Sequence, residues 1–124
     1  MGALLSLAGT DYWPSFDGAI LFLEEVKLRS AELQAIDEAL THLQLLGVLA
    51  RLAGLVVGKI YGLSAGEHRQ LDALLLSYTR PYGFPVLTQV DFGHTDPRIT
   101  LPLGIRASLD SRHDAFLLEE AAVT

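Results

Sequence analysis

Cysteine is absent from the 124 residues, which rules out disulfide frameworks and thiolate metal sites. Basic residues are scarce: nine Lys and Arg stand against fifteen Asp and Glu, a formal net charge of -6. They form no cluster, so the chain lacks the basic face that neutralises phosphates in a nucleic-acid binder. It also lacks a membrane span, because the apolar stretch 43–58 carries Arg51 near its middle and falls short of the ~20 residues a span requires. The start Met1-Gly-Ala-Leu-Leu-Ser6 has neither the basic region nor the cleavage site of a signal peptide. Its formal match to a myristoylation pattern is too short to carry weight. Internal repeats and low-complexity segments are missing as well. These absences leave a chain expected in the cytoplasm, engaging neither nucleic acid nor membrane.

What is present suits one packed domain. Half the residues are hydrophobic and the mean hydropathy is +0.33, enough to build a core at this length. Residues 19–23 form a short continuous apolar run, as expected of a strand covered on both faces. Beyond Ser30, a candidate N-cap, Leu33, Ile36, Leu40 and Leu43 follow a helical stripe that Gly47 ends. Residues 55–61 read as a second strand, with Val56 and Val57 favouring it over helix. Ser64-Ala-Gly-Glu67 is a capping box, predicting a helix to about Thr79, where Pro81 and Gly83 stop it. Residues 84–90 then read as strand. Further extended segments are expected at 99–103 and 105–109, interrupted by Pro102, with a turn at 110–114 and a final strand at 115–119. Helices alternate with strands first and strands then succeed one another, which predicts an α/β fold: a mixed sheet with helices on one side.

Two strand ends run directly into polar groups. Residues 19–23 lead into Glu24 and Glu25, and residues 84–90 lead through Asp91-Phe-Gly into His94. Strand termini expose side chains from a rigid base, so chemistry collects there. A carboxylate and an imidazole are two of the three members of an acid–base triad. The third is not evident. Ser6, Ser15, Ser30, Ser64, Ser77, Ser108 and Ser111 occupy caps, helix or strand positions and turns, and none lies in a Gly-x-Ser-x-Gly elbow. Asp91 and Asp96 flank His94 and could orient it, although Asp96-Pro97 also suits a turn. His42, His68 and His113 match no metal-ligand spacing, so neither metal nor cofactor is expected. Tyr12 and Trp13 are candidates for a cleft wall or for packing at a domain junction.

The phrases Gly18-Ala-Ile-Leu-Phe-Leu-Glu-Glu-Val26, Leu45-Leu-Gly-Val-Leu-Ala-Arg-Leu-Ala-Gly-Leu-Val-Val-Gly-Lys59 and Phe84-Pro-Val-Leu-Thr-Gln-Val-Asp-Phe-Gly-His-Thr-Asp-Pro97, with Leu101-Pro-Leu-Gly104, together resemble the LD-carboxypeptidase family. The resemblance covers nearly the whole chain and only that family's C-terminal domain. It implies a swivelling β/β/α-like fold over residues 19–124, with residues 1–18 leading in from an N-terminal domain that bears the nucleophilic serine. It places the triad glutamate on Glu24, with Glu25 as the competitor, and the triad histidine on His94. Murein-recycling members continue after the glutamate with a Pro-Tyr and an Ile-Asp-Arg element. Here the chain continues Val26-Lys-Leu-Arg-Ser30, nearer the microcin self-immunity branch.

The expected function is therefore that of a helper domain in a bacterial serine carboxypeptidase, supplying Glu24 and His94 and inactive by itself. Its expected partners are the N-terminal nucleophile domain and a small peptide-like substrate, with homodimer formation by the isolated chain. The competing reading is a stand-alone binding or scaffold domain of the same fold.

Overall fold

The computed structural model describes residues 1–25 and 32–123; the N-cap expected at Ser30 lies outside them. A short helix α1 (Gly2–Leu5) precedes strand β1 (Ile20–Leu23), helix α2 (Glu32–Leu45), strand β2 (Gly54–Gly58), helix α3 (Ala65–Thr79) and strand β3 (Val86–Val90). Strands β4 (Ala107–Asp110) and β5 (Ala115–Leu118) follow, and 3-10 turns occupy Leu49–Arg51 and Arg80–Tyr82. The strands β1, β2 and β3 pair in parallel in that order, whereas β4 and β5 form a separate antiparallel hairpin. The expected α/β fold with parallel and antiparallel strands is present, its two kinds of pairing divided between two sheets.

The sheets and helices stack in three layers. Successive strand side chains point to opposite faces. Leu23, Leu55 and Val57 meet Ile36 and Leu40 of α2 and Leu71 and Leu75 of α3 in one buried cluster. On the other face Phe22 contacts Phe116 of the hairpin edge-on, with ring centroids 5.6 Å apart. Strand β2 lies between both layers and is buried along its whole length. Two glycines begin and end it, where Val-rich sequence alone favours larger residues. A Cβ at Gly54 would stand 2.8 Å from Leu109 Cδ2, and one at Gly58 would stand 2.7 Å from the Phe92 carbonyl oxygen. Close approach of the hairpin demands the first, and close approach of the loop after β3 demands the second.

The helices end as their sequences dictate. In α3, Ser64 accepts a hydrogen bond from the Glu67 N–H at 3.3 Å while Glu67 accepts from the Ser64 N–H at 2.8 Å, completing the capping box. The helices α2 and α3 are joined by Tyr78, whose hydroxyl donates to Asp37 Oδ1 at 2.6 Å and lies 2.7 Å from Thr41 Oγ1. A second cluster gathers Phe16, Leu43, Val48, Leu49 and Leu52, with Leu4, Leu5 and Trp13 against it. The lead-in segment is thereby packed onto the domain. Arg51 fastens it further, its Nε and Nη2 donating to the two oxygens of Asp17 at 2.6 and 2.8 Å. That guanidinium holds the Asp17 carboxyl well below the usual range, at about 2.

Residues 99–103 do not form the expected strand. Pro102 offers no N–H to a ladder, and Gly104 turns the chain at φ 77° before β4 begins.

Candidate active site

All three parallel strands end at one edge of the domain, and each delivers a charged or ionisable side chain there. The strand β1 is followed by Glu24, β2 by Lys59, and β3 by Asp91 and the loop that carries His94. This is the edge at which open parallel sheets collect chemistry.

His94 Nδ1 lies 2.6 Å from Glu24 Oε2, although the two residues are 70 positions apart. Their side chains are 57% and 38% exposed respectively, so the pair faces solvent. A short contact between Nδ1 and a carboxylate fixes the tautomer with the proton on Nδ1, which leaves the lone pair on Nε2 facing away from Glu24. Glu25 turns elsewhere: its Oε2 stands 3.1 Å from the Met1 amino group, as strand alternation requires of the next residue.

The loop geometry explains the contact. Between Val56 and Gly58, two steps along β2 are matched by three along β3, from Leu87 to Val90. The extra residue is accommodated at Gln89, with φ 59°, and such a bulge re-aims the end of a strand. Phe92 is then buried against Gly58 and meets Phe22 at a tilt, with 5.5 Å between centroids. Next comes Gly93 at φ 98°. A Cβ there would lie 3.0 Å from Glu24 Oε2 and 3.2 Å from Glu24 Cβ, so the absence of a side chain lets Glu24 reach under the loop. The loop closes where the Ile99 N–H donates to the Asp91 carbonyl at 2.7 Å.

Asp91, considered from sequence as a residue that could orient His94, is bonded instead to Lys59 Nζ through Oδ1. Asp96 lies 3.9 Å from Arg98. Sequence reasoning did not single out Lys59; the available signal was a lone cation directly after a buried strand. His113 pairs with Asp110 at 2.7 Å in the hairpin turn, and His42 sits on the last turn of α2. Among the described residues no three potential metal ligands gather. Trp13 packs against Phe16 at a tilt, with ring centroids 5.1 Å apart, while Tyr12 is exposed.

Among the described residues no hydroxyl is hydrogen-bonded to His94. Ser6 donates to the Ala3 carbonyl, Ser15 to Asp17, and Ser77 to the Leu74 carbonyl, while Ser64 is committed to its cap. An open cleft of about 610 Å³ runs beside the site along β3, lined by Gln89, Asp91, Ile99, Asp114 and Phe116 among others. A second concavity, about 390 Å³, runs from Gly18 and Ala19 along β1 to Phe22, and neither Glu24 nor His94 lines it. No helix among the described residues is long and apolar enough to cross a membrane.

A three-layer α/β domain with a carboxylate–imidazole pair at its strand ends is thus the class of structure on view. Residues 1–109 match the profile of the LD-carboxypeptidase C-terminal domain, and the chain belongs to that family. A Treponema pallidum protein named as a carboxypeptidase is 31% identical over 108 residues, 86% of this chain and 32% of the relative. The solved structure of MccF in complex with glutamyl sulfamoyl guanosine is similar at TM-score 0.83 and 26% identity, over 99% of this chain and 36% of that one. That of muramoyltetrapeptide carboxypeptidase from Oxalobacter formigenes is similar at TM-score 0.69 and 27% identity, over 98% of this chain and 39% of that one. The chain spans about a third of the length of the curated relatives it matches.

Proposed function

We propose that this domain supplies the carboxylate and the general base of a serine-type carboxypeptidase, with Glu24 and His94 in those roles. The serine belongs to a separate, N-terminal nucleophile domain that docks on the edge carrying the pair. The observation that carries this reading is the 2.6 Å Glu24–His94 contact at a solvent-facing strand edge, in a family of carboxypeptidase domains.

The chemistry follows from the tautomer. With Nδ1–H donated to Glu24, Nε2 takes the proton of an incoming serine hydroxyl as its oxygen attacks an amide carbonyl. The imidazolium formed is stabilised by Glu24 and returns that proton to the leaving amine. A water then repeats the sequence to release the acyl group, and no cofactor enters. The substrate is a small peptide-like amide next to a free carboxylate. MccF, a microcin self-immunity protein, has been solved with an aminoacyl sulfamoyl nucleoside, which makes aminoacyl-nucleotide amides one class to assay beside L,D-peptides.

The test is turnover of both substrate classes. Residues 1–124 alone should be silent, because no hydroxyl among the described residues is hydrogen-bonded to His94. In the enzyme carrying this domain, His94→Ala should lower kcat by roughly 10³-fold or more, since triad members act as a unit. A loss of tenfold or less would refute the assignment of His94, and turnover by the chain alone that depends on His94 would refute the need for a second domain.

A further inference from the structure

Three successive residues ahead of His94 are each held by a different part of the parallel sheet. Gly93 lies against Glu24 after β1, Phe92 packs on Gly58 at the end of β2, and Asp91 is bonded by its carboxylate to Lys59. The first two contacts are steric. The third is ionic, and it lies at the root of the loop, where the Asp91 carbonyl also receives the Ile99 N–H. Lys59 is anchored in turn, since its own N–H donates to the Val90 carbonyl at 3.0 Å. Its ammonium therefore joins the ends of two neighbouring strands at the point where the His94 loop departs.

We propose that Lys59 is a positioning residue for His94, acting through Asp91 to fix the loop so that the imidazole stays on Glu24. The role rests on the reading of His94 as the general base. Arg98, the fixed cation within the loop itself, lies 3.9 Å from Asp96 instead. The Lys59–Asp91 pair is not needed to hold the domain together. The Lys59 and Asp91 side chains are 37% and 41% exposed, and ion pairs so exposed add little to stability. Its contribution lies in geometry, where a displacement of about 1 Å at a catalytic group can cost 10²-fold in rate.

The experiment uses Lys59→Met, Lys59→Arg and Asp91→Asn. The proton signal of the His94 Nδ1–H···Glu24 bond is followed by NMR in residues 1–124, and kcat and KM are measured in the enzyme carrying the domain. Lys59→Met and Asp91→Asn should broaden or lose the downfield proton and lower kcat about tenfold to a hundredfold, with KM within about twofold and an unchanged melting temperature. Lys59→Arg should retain both the proton signal and most of kcat. A Lys59→Met variant with the parent's signal and kcat would overturn the proposal, as would a Lys59→Arg variant as impaired as Lys59→Met. His94→Ala separates the two readings. If it leaves kcat intact, the proposed chemistry fails; if it abolishes turnover while Lys59→Met changes nothing, only the role of Lys59 falls.

Discussion

Replacing Gly93 by alanine should disable the site while barely weakening the fold. At φ 98° any L-residue is strained, by about 1–3 kcal/mol. The added Cβ would also stand 3.0 Å from Glu24 Oε2, closer than carbon and oxygen comfortably approach. Oε2 is the end of a flexible side chain and can swing away, while Glu24 Cβ, 3.2 Å from the added carbon, needs a shift of only a few tenths of an ångström, so relief is cheap for the fold. It is costly for the pair, because it moves the carboxylate off His94. Gly47 provides the control: it ends α2 at φ 72° with nothing within 4 Å of its virtual Cβ, so Gly47→Ala incurs the backbone term alone. Urea unfolding of residues 1–124 should therefore place the two variants within about 1 kcal/mol of each other, both about 1–3 kcal/mol below the parent. In melting temperature each kcal/mol is worth about 3–6 °C at this size. The downfield His94 proton should vanish in Gly93→Ala and persist in Gly47→Ala, and kcat of the enzyme carrying the domain should fall about 10²-fold in the first only. The reasoning is refuted if Gly93→Ala keeps the proton signal, or if its stability falls far below that of Gly47→Ala.

Leu40→Ala, at a fully buried α2 position, should cost about 2–5 kcal/mol in urea unfolding through lost burial and a cavity; a cost below 1 kcal/mol would mean the helix layer is loosely packed. Asp17 titrates at about 2 because Arg51 donates to it. A depressed carboxylate adds stability that is complete above its unfolded-state pKa and lost as pH falls through the folded one. Asp17→Asn should thus flatten the acid limb of the stability profile between about pH 4 and 2, more visibly at low salt, and an unchanged limb would refute the linkage. Leu103 and Leu117, 84% and 65% exposed, leave apolar surface on the loop and hairpin outside the core, and such surface seeks a partner. We expect light scattering to find residues 1–124 self-associated as a two-fold dimer, and a monomer up to near-millimolar concentration would refute that expectation.

Much of this arrangement is legible in local sequence because its signals are local. Ser64 and Glu67 mark the start of α3 by their spacing, and both ends of the Glu24–His94 pair are visible as polar residues after apolar strands. Even the choice between Glu24 and Glu25 follows from strand alternation, once Leu23 is known to face the helices. Other features depend on what lies across a gap. Gly54 and Gly58 look like strand breakers until Leu109 and Phe92 are seen pressing on β2. Lys59 looks like an ordinary surface cation until Asp91 arrives from 32 residues away. The division into a parallel sheet and a separate hairpin is likewise invisible, because period-two patterning says that a segment pairs but not with which neighbour. Residues 99–103 mislead for a related reason: Ile99, Leu101 and Leu103 alternate like a strand, yet Pro102 and Gly104 deny them a ladder.

The Glu24–His94 contact exists in a chain where no hydroxyl, among the described residues, is hydrogen-bonded to the imidazole, and that fact bears on timing. The entropy of bringing together side chains 70 positions apart is expended when β1, β2 and β3 assemble, at the moment of folding. Nothing remains to be arranged at the imidazole when a nucleophile-bearing surface approaches. On the proposed function, docking then carries only the cost of fixing one rigid body against another, and a base already aimed would give the reacting serine a high effective concentration from first contact. If the proposed function holds, a domain built this way matures independently of its partner, and its chemistry begins at the encounter.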